Sequence, residues 1–446
     1  MVINGRVVPH VVPTTDDDKE SAFAPPVSAR GPGHRGVPAA LPAPRTLVVG
    51  GVDQYLRIPF LRHLQAEGFL VAAAGPGQPE PFQRAGIPFM PFVFDRFLSP
   101  IADRHSIRQL SALVAAWHPD IVQSFDTKPN LLAPLAARNT EGVAVVRTIN
   151  GLGWVYSSRG PGALALRPVQ RALYRFAARY VNATVFQNHD DQSFFQRAGL
   201  MGLGIGRLIP GSGIDVEGFE RRLKKCSSAE RLRAELGLHG TEIVLTVTRL
   251  TRQKGVPALL KAAAHIHRVR PSVRFLLVGP RESEGYQAIS RRQIDQHAPY
   301  VIATGPRDDI PALLRLADVF AFPTEYREGV PRVLLEAALA KCPIVTTAMP
   351  GCSDVIRDSE TGYLVPPRSP DMLAARILDL LSNRARASTM AHGAATFVRT
   401  NFALSLTVAR YAALYREILA CRTIPASAAV SCTESRVAEL CQGLEN

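Results

Sequence analysis

The chain has 446 residues, 46% apolar and 20% charged, enough for two or three domains with full cores. It holds no run of about 18 uncharged apolar residues, so no transmembrane helix is expected, and MVINGRVVPH lacks the apolar core of a signal peptide. The net charge of +14 suits anionic partners (nucleic acid, anionic membrane or phosphorylated substrates), or is simply a basic surface.

Residues 1–43 are rich in Pro, Gly and charge and show no apolar period, which predicts a disordered leader. Order is expected from RTLVVGGVD, a short apolar strand running into a Gly-Gly turn. RIPFLRHLQAEG reads as a helix stopping at Gly68. FLVAAAGPG, DIVQSFD and VAVVRTIN are further short apolar runs that end in polar turns. Strand, helix and strand on short links predict a parallel sheet with helices on both faces.

The pattern restarts at TEIVLTVTRL, near residue 241. Strands are expected at 274–279, 301–305, 318–324, 342–348 and 362–367. Helices are expected at 256–270, 309–316, 331–341 and 370–382. The fold class that follows is α/β, with two doubly wound Rossmann-like domains: 44–215 on the acceptor side and 216–405 binding the donor. The charged stretch 216–240 reads as the join, 406–420 as a closing helix and 421–446 as a flexible tail. A ligand belongs at the carboxyl ends of the strands, in the cleft between the two halves.

Six cysteines (Cys226, Cys342, Cys352, Cys421, Cys432 and Cys441) lack metal-ligand spacing and read as reduced cytosolic thiols. No helix-turn-helix, RRM or zinc-finger signature accompanies the charge, and its basic residues are not interleaved with stacking aromatics. A nucleic-acid partner is therefore not expected.

The stretch EYREGVPRVLLEAALAKCPIV sets Glu328 and Glu336 around the start of a helix with seven residues between them. Pro331 suits the first helical position, where its missing N–H costs nothing. Gly329 allows close approach of backbone to a ligand. The N–H groups of Gly329, Val330 and the following residues, at the positive end of a helix, suit a phosphate. Two flanking carboxylates suit hydroxylated groups on either side of it. The same pattern also fits an acidic first turn that merely stabilises its helix. A second feature favours the ligand: VTRLTRQKG places Arg249 and Lys254 on a loop after a strand of the same half, where two cations suit a diphosphate leaving group. In the first half, Gly151 and Gly153 of TINGLGWVYSS follow a strand and form either a ligand-approach loop or an ordinary turn.

The ordered set TVTRL…KG, LLVG, ATGPRDDIPALLRLADVFAFPT, EGVPRVLLEAALAKCPIVTT and GCSDVIRDSETGYLVPP resembles glycosyltransferase family 4, retaining enzymes of the GT-B fold. The resemblance spans about 45–420 and is strongest over 241–368. It implies that Arg249 and Lys254 hold the diphosphate of a nucleotide-sugar donor, with a UDP-sugar expected. It also implies that Glu328 contacts the transferred sugar and Glu336 the ribose hydroxyls. The implied chemistry is front-face transfer needing neither metal nor cofactor; the only DxD-like triplet is Asp16–Asp18, in the leader. VFQNHDD…GSGID resembles the branch acting on polyprenyl-diphosphate-linked acceptors in cell-surface polysaccharide assembly. Cys342 stands where the family usually has Gly, and Asp354 where Glu is commoner. A GT-B epimerase or hydrolase and a binding protein without catalysis are the alternatives.

Five arginines and no acid lie between Arg159 and Arg179; Arg167, Arg171, Arg175 and Arg179 recur every four residues. Like charges at that spacing repel on a helix. The stripe suits an anionic membrane surface at 159–180, or the diphosphate of a lipid-linked acceptor, or its arginines pair with acids elsewhere in the fold. The first reading implies a cytoplasmic protein, peripheral on the cytoplasmic face of the membrane.

Overall fold

The computed structural model describes residues 42–95, 99–158, 160–226, 228–281 and 287–423. The leader up to residue 41, with Asp16–Asp18, lies outside the described residues, as do Arg159, Cys432, Cys441 and the tail from residue 424.

The first lobe is a seven-stranded sheet: β1 (Arg45–Val49), β2 (Leu70–Gly75), β3 (Phe89–Pro91), β4 (Ile121–Phe125), β5 (Ala144–Ile149), β6 (Ala183–Phe186) and β7 (Ile205–Leu208). Every pairing is parallel, in the order β3-β2-β1-β4-β5-β6-β7. The second lobe has six strands: β8 (Glu242–Val247), β9 (Val273–Val278), β10 (Val301–Gly305), β11 (Val319–Phe322), β12 (Ile344–Thr347) and β13 (Tyr363–Val365). These are parallel too, in the order β10-β9-β8-β11-β12-β13. Helices cover both faces, so the central strands are apolar along their whole length rather than alternating. Leu47, Val48 and Val49 in β1 and Ile243, Val244 and Leu245 in β8 are fully buried. Strand order reverses between β1 and β4 and again between β8 and β11. Those two switch points open crevices at the carboxyl ends of the strands.

The stretch 216–240, read as the join and the start of the second domain, is folded into the second lobe. It forms the helices Val216–Lys225 and Ala229–Glu235, and Phe219, Leu232 and Leu238 pack in the second core. The chain crosses between the lobes at two neighbouring points. Ile214 N–H donates to Phe402 O at 2.8 Å, and Leu404 N–H donates to Ile214 O at 2.9 Å. Gly213, at φ +74°, permits this contact, since a Cβ there would lie 2.9 Å from both Leu404 Cα and Thr407 Oγ1.

After the second crossing, the helix Leu404–Thr423 returns to the first sheet. Tyr411 OH meets Thr148 Oγ1 at 3.0 Å and Tyr415 OH donates to Gln123 Oε1 at 2.8 Å, all buried. The closing helix thus completes the first core. Among the described residues no helix is long and apolar enough to cross a membrane.

Candidate functional site

The β8/β11 switch point brings together residues 74 apart in sequence. β8 runs into a loop holding Arg249, then a single 3-10 turn, Arg252–Lys254. Gly279, at the end of β9, lies against this loop; a Cβ on it would collide with Thr248 O. Gly255 follows the turn at φ +73°, where a Cβ would collide with Pro323 O just beyond β11. Only glycine lets the turn press this closely. The result is a short ion pair: Lys254 Nζ donates to Glu328 Oε1 at 2.6 Å. Thr324 Oγ1 donates to the same oxygen at 3.2 Å, and the ammonium lies 5.3 Å from the centroid of the Tyr326 ring. Lys254 is 7% exposed. Both bonds fall on Oε1, so Oε2 faces away from them and can accept from a ligand hydroxyl.

Glu336 lies on the helix Arg332–Leu339, one residue short of the 331 start expected from sequence, with Pro331 as its N-cap. Its Oε1 accepts from Arg332 Nε at 3.2 Å. The expected row of N–H groups open to a phosphate needs correction at its first two members. Gly329 N–H donates to Asn150 O at 3.0 Å, and Val330 N–H donates to Gln187 Oε1 at 3.3 Å. Both acceptors belong to the first lobe, so contact between the lobes uses these donors. In the helix's own first turn Leu334 N–H donates to Pro331 O at 3.1 Å, so the N–H groups of Arg332 and Val333 are the ones that could face an anion. Gly329 is wedged: a Cβ on it would collide with Gln187 Oε1, and one on Gly351 would collide with Gly329 O. Asp354, at the departure from the family pattern, accepts the Gly351 N–H at 2.9 Å, and burial pushes its carboxyl up. Cys342, the other departure, is a buried thiol whose value burial pushes up.

Gly151, at φ +111°, approaches the Arg327–Gly329 backbone rather than a loop of its own lobe; a Cβ would lie 2.7 Å from Arg327 O. Beside it is a cavity of about 170 Å³ lined by Asp126, Asn130, Asn150, Gly153 and Tyr174 of the first lobe and Tyr326 of the second. Asp126, at φ +73°, accepts from Gly51 N–H at 3.1 Å and Asn150 Nδ2 at 3.0 Å. Among the described residues no group of three or more His, Cys, Asp and Glu side chains is placed to hold a metal ion.

Sequence reasoning missed the residues that join the lobes: Asn150, Gln187, Asn188, Asp191 and Arg327. Asn188 and Asp191 fall in the VFQNHDD stretch, and an N-cap Asn followed by two acids was the one signal available for them.

The arginine stripe lies on the helix Pro161–Ala178 and the residue after it. Arg167 donates to Val155 O at 3.1 Å and Ser158 O at 2.9 Å, and Arg175 to Ala198 O at 2.8 Å. Arg171 lies over Phe194 and Arg179 over Phe176. Among the described residues the partners of Arg167, Arg171, Arg175 and Arg179 are carbonyls and rings, and none of the four pairs with an acid. A groove of about 450 Å³ is lined by Leu164, Arg167, Pro168, Arg171 and Arg175, and Leu166, Val169 and Phe176 are also exposed on this helix.

Two facing α/β lobes, each a parallel sheet with its switch point at the cleft, have the GT-B fold. Residues 241–383 match the glycosyl transferases group 1 family and residues 50–200 match the glycosyl transferase 4-like domain. The chain belongs to this family of group 1, family-4-like glycosyltransferases. It is 34% identical over 184 residues to spore coat protein SA of Bacillus subtilis, covering 39% of this chain and 48% of that relative. It is 25% identical over 335 residues to the N,N'-diacetylbacillosaminyl-diphospho-undecaprenol alpha-1,3-N-acetylgalactosaminyltransferase of Campylobacter jejuni, covering 75% of this chain and 87% of the relative. The crystal structure of Anabaena HepE in complex with UDP superposes with a TM-score of 0.68 at 18% identity, covering 84% of this chain and all of HepE, a likeness of fold.

Proposed function

We propose that this protein is a retaining, metal-independent glycosyltransferase that moves a hexosyl group from a UDP-sugar to a polyprenyl-diphosphate-linked glycan in cell-surface polysaccharide assembly. The observation that carries the reading is the Lys254–Glu328 pair at the β8/β11 switch point, directly before the helix start at Pro331. The acceptor class is supported by the Campylobacter relative, whose acceptor is diphospho-undecaprenol-linked. The choice of UDP has the nucleotide held by Anabaena HepE as an analogy of fold.

In this reading Arg249, Lys254 and the helix start receive the charge that develops on the leaving diphosphate. Glu328 holds a hydroxyl of the transferred sugar through Oε2, and Glu336 the ribose. The bond from the anomeric carbon to the diphosphate breaks, and a bond to the acceptor oxygen forms on the same face. The acceptor's proton passes to the departing phosphate oxygen. No carboxylate attacks, unlike in a retaining glycosidase.

The Pro161–Ala178 helix presents Arg171 and Arg179 among exposed Leu164, Leu166, Val169 and Phe176, an arrangement suited to peripheral docking on an anionic membrane at the cytoplasmic face.

A panel of nucleotide sugars, incubated with membrane lipid extracts with and without chelator, tests the reading. Expected is UDP-sugar-dependent labelling of a lipid-diphosphate glycan, unchanged by chelator, with the donor's anomeric configuration kept. Inverted configuration, or a strict need for magnesium or manganese in the chemical step, contradicts it.

A further inference from the structure

Several contacts cross between the lobes around the peptide that carries Glu328. Besides the two N–H groups already placed, Arg327 N–H donates to Ser157 Oγ at 3.0 Å and Asn188 Nδ2 donates to Glu328 O at 3.2 Å. The one ionic contact in the set is Arg327 Nη2 to Asp191 Oδ1, at 3.4 Å.

Asp191 is 0% exposed. It sits in the first turn of the helix His189–Arg197, whose N-cap Asn188 accepts its N–H at 2.8 Å. Asn188 Nδ2 also donates to Asp191 Oδ2 at 3.0 Å. The exposed neighbour Asp190 already supplies negative charge to that helix start. Stabilising the helix therefore does not explain a second, buried carboxylate, and burying one is costly unless it is paired. Its two oxygens lead to either side of one peptide bond. Oδ1 holds the Arg327 side chain; Oδ2 orients the Asn188 amide that holds Glu328 O.

We propose that Asp191 is a positioning residue for transfer: through Arg327 and Asn188 it holds the Arg327–Glu328 peptide against the first lobe and so aims the Glu328 carboxylate. This rests on the reading of Glu328 given above. The charged groups that face Asp191 are Arg327 across the lobe boundary and Asp190 on its own helix; Asp190 and His189 act in turn on Asp354. Burial pushes the Asp191 carboxyl up to about 6, against the pull of Asn188 and Arg327. Protonation keeps an Asn188 contact available but ends the ionic hold on Arg327.

The test compares Asp191→Asn, Arg327→Met, Arg327→Lys and the Asp191→Asn/Arg327→Met double variant, each assayed for transfer from a UDP-sugar from about pH 5 to about pH 8. Expected for Asp191→Asn and for Arg327→Met is a fall in kcat of roughly 10- to 100-fold, the size associated with slight misplacement of a reacting group. Donor KM should move by less than about threefold, since binding contacts stay in place. The double variant should be no worse than either single one, because both remove the same contact. Arg327→Lys should recover part of the loss. The acid limb that the wild type shows near pH 6 should be absent from Asp191→Asn. Wild-type kcat with an unchanged acid limb in Asp191→Asn, or single losses that multiply in the double variant, overturns the proposal. The radius of gyration from small-angle scattering separates its failure from failure of the Glu328 reading. Asp191→Asn and Arg327→Met should open the protein while Glu328→Gln keeps wild-type dimensions. An Asp191→Asn protein with wild-type dimensions counts against the hold between the lobes, whatever Glu328→Gln does to turnover. Should Asp191→Asn fail to fold, Arg327→Met with its Arg327→Lys rescue carries the kcat, KM and scattering readings, and wild-type kcat and dimensions in Arg327→Met overturn the proposal.

Discussion

Lys254 and Glu328, 74 residues apart, share a 2.6 Å ion pair inside the cleft, with the lysine almost wholly out of solvent. A pair so placed ties the β8 loop to the loop after β11 and leaves one carboxylate oxygen for a ligand. Removing one partner strands the other charge in a poorly solvated site.

Lys254→Ala should therefore act twice. Transfer should fall by roughly 10²–10³, as for loss of one oxyanion-type contact, and the melting temperature should drop. Arg249→Ala should also slow transfer. Steady-state kinetics on both proteins and thermal melts on Lys254→Ala check this; an unchanged melting temperature in Lys254→Ala would remove the special place given to Lys254.

Gly351→Ala is expected to disturb the site without touching a charged group. The residue is at φ +86°, and a Cβ would collide with Gly329 O. Strain of roughly 1–3 kcal/mol should appear as lowered stability, together with weaker donor binding because Gly329 precedes the helix start. Chemical denaturation and UDP titration by calorimetry read both. Wild-type UDP affinity in a folded Gly351→Ala protein would separate this loop from the donor site.

The pH dependence of stability has a definite sign. The folded-state value of Asp191, about 6, is raised above its ordinary 3.8. Between those values the folded protein holds a proton that the unfolded chain has lost. The contribution of this group is therefore fully present below the unfolded value and is lost as pH rises through about 6. Wild type should lose stability relative to Asp191→Asn by roughly 1–3 kcal/mol as pH rises across that window. Transfer activity should rise over the same range, since the bond to Arg327 needs the ionised form. Denaturation curves at several pH values check it; a gap between the two proteins that is flat with pH contradicts it.

Liposome flotation addresses the arginine stripe. Arg167 and Arg175 hold backbone carbonyls, so changing them alters the fold as well as the charge. Arg171→Gln with Arg179→Gln is the cleaner pair. Binding should increase with anionic lipid, decrease with salt and weaken in the double variant, by about 1 kcal/mol per arginine at the surface. Wild-type flotation in that variant would leave the stripe without a membrane role.

Much of the second lobe is legible in the sequence because its buried parallel strands are short unbroken apolar runs. VIATG is β10 residue for residue, and 318–324 and 342–348 enclose β11 and β12. The proposed site residues relate to such runs unevenly: Arg249 and Lys254 stand in the loop and turn after β8 and Glu328 in the loop after β11, whereas Glu336 lies inside the helix Arg332–Leu339. The edge strands β3 and β7 are not: one has three residues and includes Pro91, and the other carries Gly206 and Arg207. The contacts between the lobes are less legible still. Asn150, Gln187, Asn188, Asp191 and Arg327 stand in polar turns without a period, and each meets partners fixed only by tertiary structure. The packing of 216–240 is hard to read for a related reason: its high charge hides Phe219, Leu232 and Leu238, which are buried in the second core with Val216, Leu223, Cys226 and Leu236 packed against it.

The most direct measurement is the initial rate of sugar transfer from the donor identified in the nucleotide-sugar panel, wild type beside Glu328→Gln, with folding confirmed by melting temperature. The amide is isosteric and keeps an acceptor for Lys254, so the fold should survive, with a melting temperature lowered by the loss of the lysine's counter-charge. Transfer should fall by at least about 100-fold, the scale of a lost charge contact at the reacting group. Near-normal turnover by a folded Glu328→Gln protein would contradict the assignment of this cleft as the site of transfer.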